Sequence, residues 1–125
     1  MARILIVDDD ESIRTVLSDY LQRHGHEVIV AANGQEGYRS TLMEKFDIMV
    51  TDLNMPKWDG MKEIEFLDDA VVDVPIIVFS GYLTPAIKEH LLSFPNVRLC
   101  LDKPVEMKFL LDKISEVLNQ PTGEA

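Results

Sequence analysis

Five short apolar runs recur along the chain: Ile4-Leu5-Ile6-Val7, Val28-Ile29-Val30, Ile48-Met49-Val50, Pro75-Ile76-Ile77-Val78-Phe79 and Val97-Arg98-Leu99-Cys100-Leu101. They are mostly β-branched and mostly continuous, the pattern of strands covered on both faces. Each is followed by a segment with helical spacing. Ile13, Val16, Leu17, Tyr20 and Leu21 form one stripe after Asp10-Glu11-Ser12, and Gly25 is placed to end that helix. Segments from about Gln35 to Glu44 and from about Met61 to Ala70 are less regular helices. Thr84-Pro85 reads as an N-cap with proline in the first turn of a helix to about Leu92. Met107, Leu110, Leu111, Ile114, Val117 and Leu118 mark a last helix near 106–119. Five β-α units in succession predict an α/β fold, a five-stranded parallel sheet with helices on both faces.

The 125 residues suit one domain, read as residues 1–119, with 120–125 a polar tail or linker stub. A stand-alone regulator is the expectation, because Met1 lies just before the first strand. The charge is −10, from 12 Lys+Arg against 22 Asp+Glu, which argues against general nucleic-acid binding. Cys100 is the single cysteine, so an internal disulfide is excluded and a reducing, cytoplasmic setting fits. No apolar run approaches the roughly 20 residues of a membrane span.

In open parallel sheets ligands bind beyond the carboxyl ends of the strands. There this sequence places Asp8-Asp9-Asp10-Glu11, Thr51-Asp52, Ser80-Gly81 and Asp102-Lys103-Pro104. Carboxylates so gathered repel by roughly 4 kcal/mol per pair at about 4 Å and an effective dielectric near 20. A hard divalent cation resolves that, and Mg²⁺ is characteristically held by one or two carboxylates beside a phosphate. Lys103 adds a mobile positive charge suited to a carboxylate or a phosphoryl oxygen. A carboxylate beside bound Mg²⁺ is a known phosphoryl acceptor.

Asp8-Asp9 after Ile4-Leu5-Ile6-Val7, the stretch from Asp52 to Gly60, Ser80-Gly81 and Lys103-Pro104 together resemble the receiver domain of bacterial two-component response regulators. The resemblance runs from about Arg3 to Asn119 and implies the (βα)5, flavodoxin-like or CheY-like fold. It implies Asp52 as phosphoryl acceptor from a sensor histidine kinase or phosphotransfer protein. Asp8, Asp9, Asp52 and the backbone carbonyl of Asn54 would hold Mg²⁺, and Ser80 and Lys103 would contact the phosphoryl group. A cis Lys103-Pro104 bond is also implied, as is a downstream effector recognised by the face of helix four, strand five and helix five. Such a module is not an enzyme in the ordinary sense; it catalyses only its own phosphorylation and dephosphorylation.

The chain departs from the family pattern at Cys100, where the family carries an aromatic residue that reports phosphorylation, and at Val105, where phenylalanine is common. Tyr82 and Asn54 occupy positions that tune loss of the phosphoryl group. Asp10 and Glu11 read as first-turn acids, Asp59-Gly60 as turn chemistry, and Trp58 as an ordinary loop aromatic. His24 reads as a helix-end dipole partner rather than half of a metal pair with His26, and Cys100 as a small buried residue. The charged positions of the last helix are a solvated face, a partner surface or a homodimer contact. Two rivals remain: a haloacid-dehalogenase-like phosphatase with Asp8 as nucleophile and Asp10 as acid, and a pseudo-receiver that docks without phosphorylation.

Overall fold

A computed structural model describes residues 1–53, 59–81 and 83–119. Strands and helices alternate: β1 (Arg3–Val7), α1 (Glu11–Arg23), β2 (Glu27–Ala31), α2 (Gly34–Met43), β3 (Ile48–Thr51), α3 (Gly60–Asp69), β4 (Ile76–Ser80), α4 (Pro85–Leu92), β5 (Val97–Asp102) and α5 (Met107–Leu118). The strands form one parallel sheet in the order β2-β1-β3-β4-β5. The chain therefore winds one way from β1 to β2 and the other way from β3 onward, and the reversal opens a crevice at the carboxyl ends of β1 and β3.

The unbroken apolar runs follow from burial on both faces. Ile4 and Ile6 of β1 pack with Leu17 and Leu21 of α1 and Ile114 of α5, while Leu5 and Val7 pack with Ile64 and Leu67 of α3. Every residue of β3 and β4 is buried. The edge strand β2 differs: its Val30 is exposed at the margin of the sheet, although Val28 on the same face packs with Leu17 and Leu21 of α1. Val16, which the helical spacing places on the apolar stripe of α1, is exposed too, and Leu17 and Leu21 carry the buried face. β4 starts one residue later than its apolar run because Pro75 has no N–H to give; its carbonyl still accepts from Met49.

Thr84 caps α4 as its sequence predicts, and three further side chains act as caps that the sequence reading did not assign. Asp10, Asn33, Asp59 and Thr84 each accept a backbone N–H in the first turn of their helices, and Pro85 opens α4. Asp10 is thus a cap rather than a first-turn acid. α1 ends in a Schellman turn: the N–H of Gly25 donates to Gln22 and that of His26 to Leu21, with Gly25 at φ +90°. α3 closes with the same pair of bonds, Val71 to Asp68 and Val72 to Leu67, but the left-handed position is Val71 at φ +56°. A β-branched residue is strained there, and Val71 is 86% exposed, so its side chain gains little by burial. Val71→Gly is expected to raise stability by about 0.5–1 kcal/mol, after the added flexibility of the unfolded chain is counted. Urea unfolding checks this; a lower midpoint would contradict it.

Candidate functional site

The register of the sheet brings the acids together. Val7 of β1 lies opposite Thr51 of β3, so the next residue of each strand, Asp8 and Asp52, emerges at the same level of the crevice. The Asp52 N–H donates to the Val7 carbonyl at 3.0 Å and the Asp8 N–H to that of Ala31 at 3.1 Å. At the other side Ser80 lies opposite Asp102, and the Lys103 N–H donates to the Ser80 carbonyl at 2.9 Å. Lys103 thereby starts from the rim of β4, and the Lys103-Pro104 bond is cis.

From that rim the Lys103 ammonium reaches across the crevice. Its Nζ donates to Asp8 Oδ2 at 2.7 Å and to Asp52 Oδ2 at 3.0 Å. Both carboxylates are largely buried, Asp9 is exposed beside them, and one oxygen from each of the three lies within 4.8 Å of the others. Burial pushes the Asp8 carboxyl above the usual range, against the pull of Lys103 and of the Asp10 N–H. Burial alone would lower the Lys103 ammonium; its hydrogen bonds and charge interaction with Asp8 and Asp52 outweigh that and raise it. Arg14 of α1 donates to the Asp8 carbonyl at 2.7 Å, a backbone support with no counterpart in the motif reading. The Ser80 side chain is fully buried at the same edge.

The structure thus gathers Asp8, Asp9, Asp52, Lys103 and Ser80 at one sheet edge. Asn54, Trp58 and Tyr82 lie outside the described residues, as does the tail from 120 to 125. Asp10 Oδ1 is engaged with the Ser12 N–H, so the acid of the phosphatase reading is occupied as a helix cap. The two histidines make separate contacts: His24 Nδ1 lies 2.8 Å from the Tyr20 carbonyl, and His26 Nδ1 accepts the Ala2 N–H at 3.1 Å. Cys100 is only partly buried, on an edge strand; burial raises its thiol pKa. Among the described residues no helix is long and apolar enough to cross a membrane.

Two residues acquire importance only in three dimensions. A Cβ on Gly60 would sit 2.1 Å from the Asp52 carbonyl oxygen, so the start of α3 rests directly on the Asp52 peptide. Glu63 is completely buried. Its Oε1 lies 2.7 Å from Thr51 Oγ1, and its Oε2 has no hydrogen-bond partner among the described residues. Burial drives its carboxyl up to about 8, despite the bond with Thr51. A signal existed in the sequence: Gly60, Glu63, Ile64 and Leu67 are the buried positions of α3 and have core-facing spacing, with an acid in the stripe.

An open parallel sheet whose switch point carries three carboxylates and a lysine defines the class: a doubly wound α/β domain with a charged site at the carboxyl ends of its strands. Residues 4–115 match the response regulator receiver domain model, and the chain belongs to that family. The transcriptional regulatory protein RprY of Bacteroides fragilis is 30% identical over 124 residues, covering 98% of this chain and 51% of RprY. A CheY-like receiver domain protein from Methanospirillum hungatei superposes with a TM-score of 0.91 at 30% identity, covering 100% of this chain and 99% of that one. TrrA of Thermotoga maritima, solved in complex with Mg²⁺-BeF, superposes with a TM-score of 0.81 at 27% identity, covering 94% and 99%. This chain spans about half of the length of RprY and a third or less of that of other curated transcriptional regulators that it matches.

Lys103→Met should cost about 1–3 kcal/mol at pH 7, since Asp8 and Asp52 are then left buried without their cation. The loss narrows on acidification as Asp8, already raised, takes up its proton. Chelator-treated protein unfolded in urea across pH tests both parts, and an equal loss at every pH would refute the charge argument. For Glu63 the native pKa of about 8 lies above the unpaired value of 4.5, so the folded state holds an extra proton between them. The stability this contributes is complete below pH 4.5 and is lost as pH rises through about 8. In thermal melts the advantage of wild type over Glu63→Gln should therefore decline from pH 5 to 8 and then level; a constant difference would contradict it.

Proposed function

We propose that this receiver domain takes a phosphoryl group onto Asp52 in a Mg²⁺-dependent reaction, from the phosphohistidine of a sensor kinase or phosphotransfer protein. The observation that carries this reading is the Lys103 ammonium held between Asp8 and Asp52, with Asp9 beside them and Ser80 on the same rim. The donor set is all oxygen and negatively charged, as a hard divalent cation requires. Asp8, Asp9 and Asp52 would hold the ion, with the Asn54 carbonyl as a further ligand on the family resemblance alone. The bound ion supplies charge neutralisation for the incoming phosphoryl oxygens.

A carboxylate oxygen of Asp52 attacks phosphorus as the bond from phosphorus to the donor imidazole nitrogen breaks, and the electron pair stays with the imidazole. Asp52 loses its charge on becoming an acyl phosphate, while the phosphoryl group brings new negative oxygens. Lys103 follows that charge, and the Ser80 hydroxyl donates to the same group. The Lys103 backbone bond to Ser80 couples these two contacts, so the ends of β4 and β5 shift together.

The proposed output surface is the face of α4, β5 and α5, open to an effector protein or domain or to a second copy of the chain. Lys88 of α4 meets Asp102 of β5 at 2.9 Å, one residue before Lys103, which ties this face to the site. Cys100 is too small to act as the family's swinging aromatic, so the motion is read as one of backbone and α4. Catalysis is limited to the domain's own phosphorylation and dephosphorylation, and the proposed setting is the cytoplasm, the compartment of the phosphodonors this reading requires.

Incubation with acetyl phosphate and Mg²⁺ should add the mass of one phosphoryl group, and Asp52→Asn or removal of Mg²⁺ should abolish the gain. No gain with any small phosphodonor or histidine kinase would leave the docking-only reading in its place.

A further inference from the structure

We infer that Glu63 is a positioning residue for phosphoryl transfer: through Thr51 it holds the peptide that carries Asp52. This rests on Asp52 being the acceptor. Glu63 is not itself one of the motif residues, and by burial alone it is out of place, since a carboxyl in a core with an oxygen unpartnered among the described residues costs stability. What it touches is specific. Thr51, itself fully buried, is the last residue of β3, and its hydroxyl lies 2.7 Å from Glu63 Oε1 and 3.3 Å from the Asp52 backbone carbonyl.

A threonine hydroxyl has one hydrogen and cannot serve both acceptors. The shorter contact takes it: the Thr51 hydroxyl donates to Glu63 Oε1, which fixes the threonine side chain and, through it, the peptide that joins Thr51 to Asp52. Gly60, one turn earlier on α3, presses on that same carbonyl, and its N–H donates to the Leu53 carbonyl at 3.0 Å. α3 therefore grips the acceptor segment at two points, by backbone contact at Gly60 and by side chain through Glu63 and Thr51.

The fit around the carboxyl points the same way. A Cβ on Gly37 of α2 would lie 2.1 Å from Glu63 Oε2 and 2.8 Å from a Val7 methyl, so α2 leaves the space the acid fills. Leucine at 63 would satisfy the core but could not hold the threonine. Glutamine could, because its carboxamide oxygen accepts from the Thr51 hydroxyl as the acid does.

The test compares Glu63→Gln, Glu63→Leu, Thr51→Ser and Thr51→Val for phosphorylation rate with acetyl phosphate at saturating Mg²⁺ and for urea midpoint. Glu63→Leu and Thr51→Val should each slow phosphorylation by about tenfold or more, in line with the sensitivity of transfer to small misplacements, while remaining folded. Glu63→Gln and Thr51→Ser should stay within about threefold of wild type, and the Glu63→Leu/Thr51→Val double variant should lose no more than either single one. Wild-type rates in folded Glu63→Leu and Thr51→Val, additive losses, or rates that merely track the midpoints would overturn the inference while Asp52 remains the acceptor. Should Glu63→Leu not fold, the Thr51→Val and Thr51→Ser pair decides alone. A wild type that never gains a phosphoryl group overturns the acceptor reading and this inference with it.

Discussion

The rest of the site depends on one electrostatic constraint: carboxylates crowded at the carboxyl ends of parallel strands need a positive partner. Lys103 supplies it by donating to Asp8 and Asp52 at once. The arrangement is strong because it is partly dry, and for the same reason it is responsive. In a low-dielectric crevice, a change of charge on one carboxylate alters the energy of the lysine more than it would in water. Phosphorylation of Asp52, as proposed, is such a change, and Lys103 belongs to a segment hydrogen-bonded to the end of β4.

The sheet makes this pairing possible by register rather than by sequence proximity. Parallel strands end at a common edge, and β1 and β3 are neighbours although a whole β-α unit separates them in the chain. The closely packed part of the molecule is the pair of apolar layers on either face of β1, β3 and β4. Function sits where those layers stop. The Lys88-Asp102 pair on the α4 side is partly exposed and so contributes little to stability, but it joins α4 to the residue beside Lys103 and so to the proposed output face.

Glu63 shows a second layer of organisation beneath the acid cluster. Natural cores seldom retain a buried carboxyl with an unpartnered oxygen unless its geometry is used. Here Thr51, the Asp52 carbonyl, Gly60 and Gly37 all bear on that one side chain or on the peptide it reaches. Asp52, the proposed acceptor, thus has charged groups on its solvent side and the Thr51-Glu63 hydrogen bond on its core side.

Much of this was legible in the residues themselves. Continuous apolar runs, helical stripes and the Thr84-Pro85 cap are local signals, and local energetics are written in consecutive residues, so the β-α alternation and the strand-end placement of Asp8, Asp52, Ser80 and Lys103 could be read directly. The family resemblance supplied what spacing could not, a common chemistry for those four positions. Other features required the folded chain. Strand order, the exposure of Val16 and Val30, the capping role of Asp10 and the strained Val71 depend on which surfaces meet. So does Glu63: in the sequence it is one acid among 22 Asp+Glu, and only packing of α3 against β3 and α2 removes its water and leaves Thr51 as its partner. Local patterning decides which elements form, whereas desolvation and hydrogen-bond pairing between distant residues exist only once those elements are in contact.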